Sequence, residues 1–102
     1  MNTITQNKIE FFTPGEPITL DKVRAAAKKA MHGRYRLRGA ISLKMELLTK
    51  SPADYDVRPL QAYIIDALRG VVFRESARFR LIDSAIKHSN EAGIIVVVKE
   101  LT

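Results

Sequence analysis

There is no cysteine in this 102-residue chain, so neither a disulfide framework nor a thiolate metal site can be part of its design. Long apolar runs are missing too, and no stretch approaches the ~20 residues needed to span a bilayer. The opening segment, Met1-Asn2-Thr3-Ile4-Thr5-Gln6-Asn7-Lys8, has no apolar centre and no small-residue cleavage site. No secretory signal is expected from it, and the cytoplasm is the default location. Histidine is scarce: His32 and His88 have no partner at metal or catalytic spacing. His32 reads as a residue facing a helix C-terminus, and His88 as a strand-end surface residue. A glycine-rich phosphate loop is absent, and the serines and threonines fall in no nucleophile motif. Acyl transfer and nucleotide hydrolysis therefore lack support. Internal repeats and low-complexity tracts are absent as well.

What the chain does have is positive charge. Seventeen lysines and arginines stand against eleven acidic residues, giving +6 and a pI near 9.9. Such a surplus favours an anionic partner, of which nucleic acid is the commonest. The apolar fraction of 46% and charged fraction of 27% are those of a globular protein. The length suits one domain, residues 1–102, with a two-layer core.

Periodicity divides the chain into six elements. Lys8 to Thr13 includes Ile9-Glu10-Phe11-Phe12 and reads as a first strand, ended by the turn Pro14-Gly15-Glu16-Pro17. Thr19 can cap a helix running through Met31, its hydroxyl accepting from the N–H of Asp21 or Lys22. Leu20, Val23, Ala27 and Ala30 or Met31 give that helix an apolar stripe, and His32-Gly33 closes it. From Gly39 to Leu48 apolar and polar residues alternate, which predicts a strand with Ile41, Leu43, Met45 and Leu47 inward. Ser51-Pro52-Ala53 is a loop. A second helix is expected with Pro59 at its first position, carrying Leu60, Ile64, Ala67, Leu68 and Val71 on one stripe, with Gly70 at its end. Two strands follow, about Arg78 to His88 and Gly93 to Glu100, joined by the turn Ser89-Asn90-Glu91-Ala92-Gly93. The solid run Ile94 to Val98 predicts a strand covered on both faces. The order is β-α-β-α-β-β, an α+β fold with a small mixed sheet packed against two helices.

Three clusters carry candidate chemistry. In Asp54-Tyr55-Asp56, two carboxylates at i and i+2 on a strand end would point to one side and suit a hard divalent cation such as magnesium or manganese. The alternative is a solvated loop in which Asp54 or Asp56 supports the helix N-terminus. A basic segment, Lys28, Lys29, Arg34, Arg36 and Arg38, with Lys22 and Arg24 upstream, encloses Tyr35. Cations for phosphates beside a ring for stacking are the needs of nucleic-acid binding, although the same residues suit a solvated loop. A third cluster, Arg69, Arg74, Arg78 and Arg80, surrounds Glu75. It can bind phosphate or pair with Glu75 and Asp66.

The segment Asp56-Val57-Arg58-Pro59-Leu60-Gln61-Ala62-Tyr63-Ile64-Ile65-Asp66-Ala67-Leu68-Arg69-Gly70-Val71-Val72-Phe73-Arg74-Glu75-Ser76 resembles the central motif of the RusA-type Holliday-junction resolvases. In that family Asp-x-Asp-Asn precedes a helix that carries a lysine and ends in Asp-Ala-Leu. A Gly-Val-Val/Leu-aromatic stretch follows, and then an Asp-Asp pair opening a strand. Pro14-Gly15-Glu16-Pro17 is similar to the family's opening Pro-Gly-x-Pro, and Lys22-Val23-Arg24 lies near its basic residues. The resemblance implies a RusA-like fold and a homodimeric, magnesium-dependent endonuclease that cuts four-way DNA junctions in recombination and repair, in a phage-like setting. There, carboxylates hold the metal, which activates water and stabilises charge on the phosphate.

The chain departs from that motif at the positions that matter. Aligned without a gap back from Asp66, Asp56 takes the first metal aspartate and Arg58 the second. Pro59 then replaces the asparagine, Ala62 the lysine and Ser76 the later aspartate, with Glu75 beside it. This register puts a fixed positive charge where a cation belongs, and cleavage is expected to be weakened or lost. A two-residue insertion before the helix instead makes Asp54 and Asp56 metal ligands, with Glu75 as a third and Arg58 in place of the lysine. Pro59, as a helix start, favours the ungapped register. Three expectations result. One is a binder of branched DNA through Lys22, Arg24, Lys28, Lys29, Arg34, Arg36, Arg38, Arg58 and Arg74. Another is an active magnesium-dependent resolvase using Asp54, Asp56 and Glu75. The third is a non-catalytic interaction module that pairs with, or inhibits, an active relative.

Overall fold

The computed structural model describes residues 8–101. The elements are β1 (Lys8–Pro14), α1 (Leu20–Ala30), β2 (Ala40–Thr49), a 3₁₀ turn (Pro52–Asp54), α2 (Val57–Leu68), β3 (Arg78–His88) and β4 (Gly93–Glu100). They form an α+β domain in the expected order β-α-β-α-β-β. The four strands make one mixed sheet in the order β1-β4-β2-β3. β4 is antiparallel to both β1 and β2, whereas β3 lies parallel to β2 and is reached through α2. A parallel neighbour needs such a crossover, because no tight turn can reverse the chain twice.

One face of the sheet meets the helices. Ile9 of β1, Ile41, Leu43, Met45 and Leu47 of β2, and Ile94, Val96 and Val98 of β4 are buried there. Val23 and Ala27 of α1 and Ile64, Ala67 and Leu68 of α2 close over them. The alternation read in β2 is therefore the pleat itself, and its four inward residues are all buried. Thr19 caps α1 as expected, its Oγ1 accepting from Lys22 N at 3.3 Å.

Three details correct the sequence reading. β4 is covered by helices on one face only. On its open face Ile95 and Val97 are half-buried among Glu10, Lys44 and Glu46, long side chains whose stems shield apolar surface while their charges stay wet. α2 starts two residues before Pro59, at Val57, with Asp56 as its N-cap. Proline is tolerated there because the first four N–H groups of a helix have no intrahelical acceptor, so its missing donor costs nothing at the third position either. Finally, Asp54 is not on a strand end: it closes the 3₁₀ turn, and only Tyr55 and Asp56 are extended. Among the described residues no helix is long and apolar enough to cross a membrane.

Candidate nucleic-acid interface

Strand direction sorts the charges. β1, β2 and β3 run the same way, so the sheet has an Ala40 end and a Thr49 end. α1 begins beside the Pro14–Pro17 turn at the Thr49 end and descends, since Arg34 beyond it donates from Nη1 to the Lys8 carbonyl at 2.9 Å. Lys28, Lys29, Arg34, Arg36, Arg38, Arg69, Arg74 and Arg78 thereby gather at the Ala40 end. Glu16, Asp54, Asp56 and Glu91 lie toward the Thr49 end, together with Lys22 and Arg58. Lys28 and Lys29 also stand in the last turn of α1, where the helix dipole favours cations.

At the Ala40 end the backbone builds a cleft. Leu37 is buried, and its N–H donates to the Val72 carbonyl at 2.8 Å while its own carbonyl accepts from Arg74 N at 3.0 Å. This bridge ties the segment after α1 to the turn after α2. With Leu37 pointing in, extended backbone turns Arg36 and Arg38 out. Arg38 N donates to Glu100 Oε2 at 3.3 Å, bringing the end of β4 to the rim. Tyr35, Arg36, Arg38, Arg74 and Glu100 then line a cavity of about 380 Å³. Tyr35 is 94% exposed, so its ring is free to stack. Among the described residues the guanidinium groups of Arg36, Arg38 and Arg74 make no hydrogen bond or ion pair. Unpaired cations around a cleft present a positive potential to phosphate, and an exposed ring beside them offers a platform for a base.

The other basic residues of the sequence reading have varied placements. Arg24 is half-buried on α1 and donates from Nε to Ala67 O and from Nη2 to Asp66 O, both at 3.2 Å. It therefore satisfies carbonyls that the end of α2 leaves without an intrahelical donor. Arg34 is similarly engaged on β1. Lys22 and Arg58 stand away from the cleft, at the Thr49 end. The glutamate on the rim, Glu100, carried no signal in the sequence. Only the return of β4 beside β2 places it next to Arg38.

The three carboxylates do not assemble within one chain. Asp56 Oδ1 accepts from Arg58 N at 3.2 Å as the cap of α2. Asp54 shares with Tyr55 and Asp56 a cavity of about 530 Å³, otherwise lined mainly by Pro17, Ile18, Leu47, Pro59, Leu60 and Tyr63. Glu75 lies beyond the far end of α2, and that helix alone spans ~18 Å from Asp56. Among the described residues no three His, Cys, Asp or Glu side chains cluster as a metal site. The donor set Asp54, Asp56 and Glu75 of one chain thus does not fit one magnesium ion in this fold.

One titratable group at the Thr49 end is perturbed. The Tyr55 hydroxyl donates to Glu16 Oε2, and this hydrogen bond, with smaller effects of burial and of the Glu16 charge, raises the phenol above its ordinary value.

No family model matches the chain, and no curated protein matches it. Among solved structures, CetZ from Methanosaeta thermophila strain DSM 6194 is similar at 11% identity with a TM-score of 0.44, over 92% of this chain. The chain spans 25% of the length of that protein.

Proposed function

We propose that this chain is a RusA-like, cytoplasmic DNA-binding domain that recognises branched DNA, the four-way junction of recombination and repair, without efficient cleavage. The observation that carries the reading is the cleft of Arg36, Arg38 and Arg74, whose guanidinium groups have no partner among the described residues, with Tyr35 exposed beside them. Phosphates supply the charge such a cleft lacks, and release of their counterions drives binding. A base that is unstacked where strands exchange can lie on Tyr35, which a continuous duplex cannot offer. The resemblance around Asp66-Ala67-Leu68 adds the junction as the branched substrate and a homodimer as the binding form. Weak cleavage is supported by the separation of Glu75 from Asp54 and Asp56, and by the engagement of Asp56 as a helix cap.

The test is a binding titration of a labelled four-way junction and a matched duplex, each with and without magnesium or manganese. Junction-preferring binding without strand cutting is expected. Equal affinity for both DNAs would remove the branched substrate, and no binding at moderate salt would remove the reading altogether. Metal-dependent symmetric cutting would favour the active resolvase. That activity would have to use Asp54 and Asp56 with a carboxylate from elsewhere, because Glu75 of the same chain is out of reach.

A further inference from the structure

We propose that the outer edge of β3 pairs antiparallel with β3 of a second copy, about a two-fold axis through Ala85, to make one continuous eight-stranded sheet. The two edges of the sheet are not alike. β1 is blunted: Pro14 stands at its end, and Arg34 occupies the Lys8 carbonyl. Proline and covered backbone groups are the usual ways of preventing strand addition. β3 is 11 residues long, has neither proline nor glycine, and pairs among the described residues with β2 alone. Its middle, Leu81 to Ile86, carries a single charge, and Leu81 and Ile82 are 61% and 36% exposed. A long apolar edge of this kind is a template for another strand.

The register follows from where β3 is regular. Its pairing with β2 shifts at Arg80, the residue skipped between Phe79 and Leu81, so the undistorted stretch is Leu81 to His88. Two-fold antiparallel pairing must keep each residue opposite one on the same face, so the axis passes through a residue near the centre of that stretch. Ala85 is the choice that satisfies the charges. Asp83, Ala85 and Lys87 lie opposite Lys44, Glu46 and Leu48 on the open face. With Ala85 facing its own copy, Asp83 of each chain stands opposite Lys87 of the other, twice. Opposite charges in directly opposed positions are the favourable arrangement. Glu46, which already holds Lys87 at 3.1 Å, extends each pair into the sheet. The small side chain at the axis lets the strands close.

On the helix face the pairing also covers apolar surface. Gln61 Nε2 donates to Ser84 Oγ at 2.7 Å, which fixes α2 over β3. Ile82, two residues before Ser84 on the same face and 36% exposed, stands opposite His88 of the second copy in this register and gains cover from it. The two Ala40 ends would point in opposite directions, presenting two symmetry-related basic clefts.

The absence of cysteine allows a direct test in the full chain. Across an antiparallel pair facing Cα atoms are ~4.5–5.5 Å apart, within the range that a disulfide bridges. Ala85→Cys is expected to oxidise to a covalent dimer rapidly, with no change in circular dichroism. Leu81→Cys is expected to stay uncrosslinked, since its two copies would lie roughly 27 Å apart. Asp83→Lys, which sets like charges opposite each other twice, is expected to weaken self-association about tenfold in sedimentation equilibrium. A monomeric unmodified chain at ~100 μM, well above the Kd of a stable pair, would overturn the proposal. So would crosslinking of Leu81→Cys as fast as Ala85→Cys. Because the cleft lies within one chain, a monomer that still binds junction DNA would refute the pairing and the homodimer as the binding form, while leaving the cleft as the DNA-binding surface.

Discussion

Replacing Arg36, Arg38 and Arg74 together with alanine removes three exposed guanidinium groups that hold nothing else in place among the described residues. Leu37, which ties the cleft together through its backbone, stays. The thermal midpoint should therefore change little, and the effect should appear in the salt dependence of DNA binding. Each cation that neutralises a phosphate of duplex DNA contributes about 0.9 to the slope of log K against log salt, so three contribute about 2.7. Over a fourfold rise in salt, from about 50 to 200 mM, the native chain should lose about 40-fold more affinity than the triple variant. Anisotropy titrations of a fluorescein-labelled four-way junction at five salt concentrations would measure both slopes. A variant that keeps the native slope while binding weakly would show that these arginines act through folding and not through phosphate. An unchanged slope with unchanged affinity would place the interface elsewhere on the molecule.

The cap of α2 should be measurable as stability. Asp56→Ala should cost about 1 kcal/mol in urea unfolding, with Asp56→Ser or Asn recovering most of it, because any of these side chains can accept from the exposed N–H groups. Gly93→Ala should cost about 1–3 kcal/mol, since a methyl group would sit 2.5 Å from Phe12 Cε1 and Cζ and 2.7 Å from the Thr13 carbonyl. The ring can move, but the carbonyl belongs to the paired strand β1. Tyr55 sets an alkaline limit. Its folded-state value is raised above 10.0, so its contribution is complete below the unfolded value and lost as pH rises through the folded one. Denaturation midpoints should fall more steeply above about pH 10 in the native chain than in Tyr55→Phe. Parallel curves would mean that the Glu16 contact does not favour the neutral phenol.

Element type and order were legible because each element has a local cause. β2 declares itself by strict alternation, α1 by Thr19 and a stripe from Val23 to Ala27, and β3 and β4 by the turn Ser89-Asn90-Glu91-Ala92 between them. The start of α2 misled because proline is usually read at the first helical position, whereas any of the first few positions tolerates it. The open face of β4 was illegible for a different reason. Ile95 and Val97 have the composition of a strand buried on both sides, and only the sheet shows that Glu10, Lys44 and Glu46, from neighbouring strands, cover them in place of a third layer.

The candidate site divides along the same line between local and long-range causes. Arg36 and Arg38 flank a buried Leu37, a local pattern of three residues, and their exposure follows from it. Arg24 looks identical in sequence but is taken by the end of α2, which lies 42 and 43 residues away. No local feature distinguishes an arginine that meets a carbonyl from one that meets solvent; the crossing of α1 over α2 decides. The carboxylates are governed by the crossover. Because β2 and β3 are parallel, the residues before α2 and those after it must lie at opposite ends of the sheet, whatever motif spans them. Asp56 and Glu75 are near neighbours in a motif and distant in the fold. The residues that a resemblance groups as one metal site are thus parted by the parallel direction of the strands in a single βαβ unit, while the arginines on either side of it are brought together.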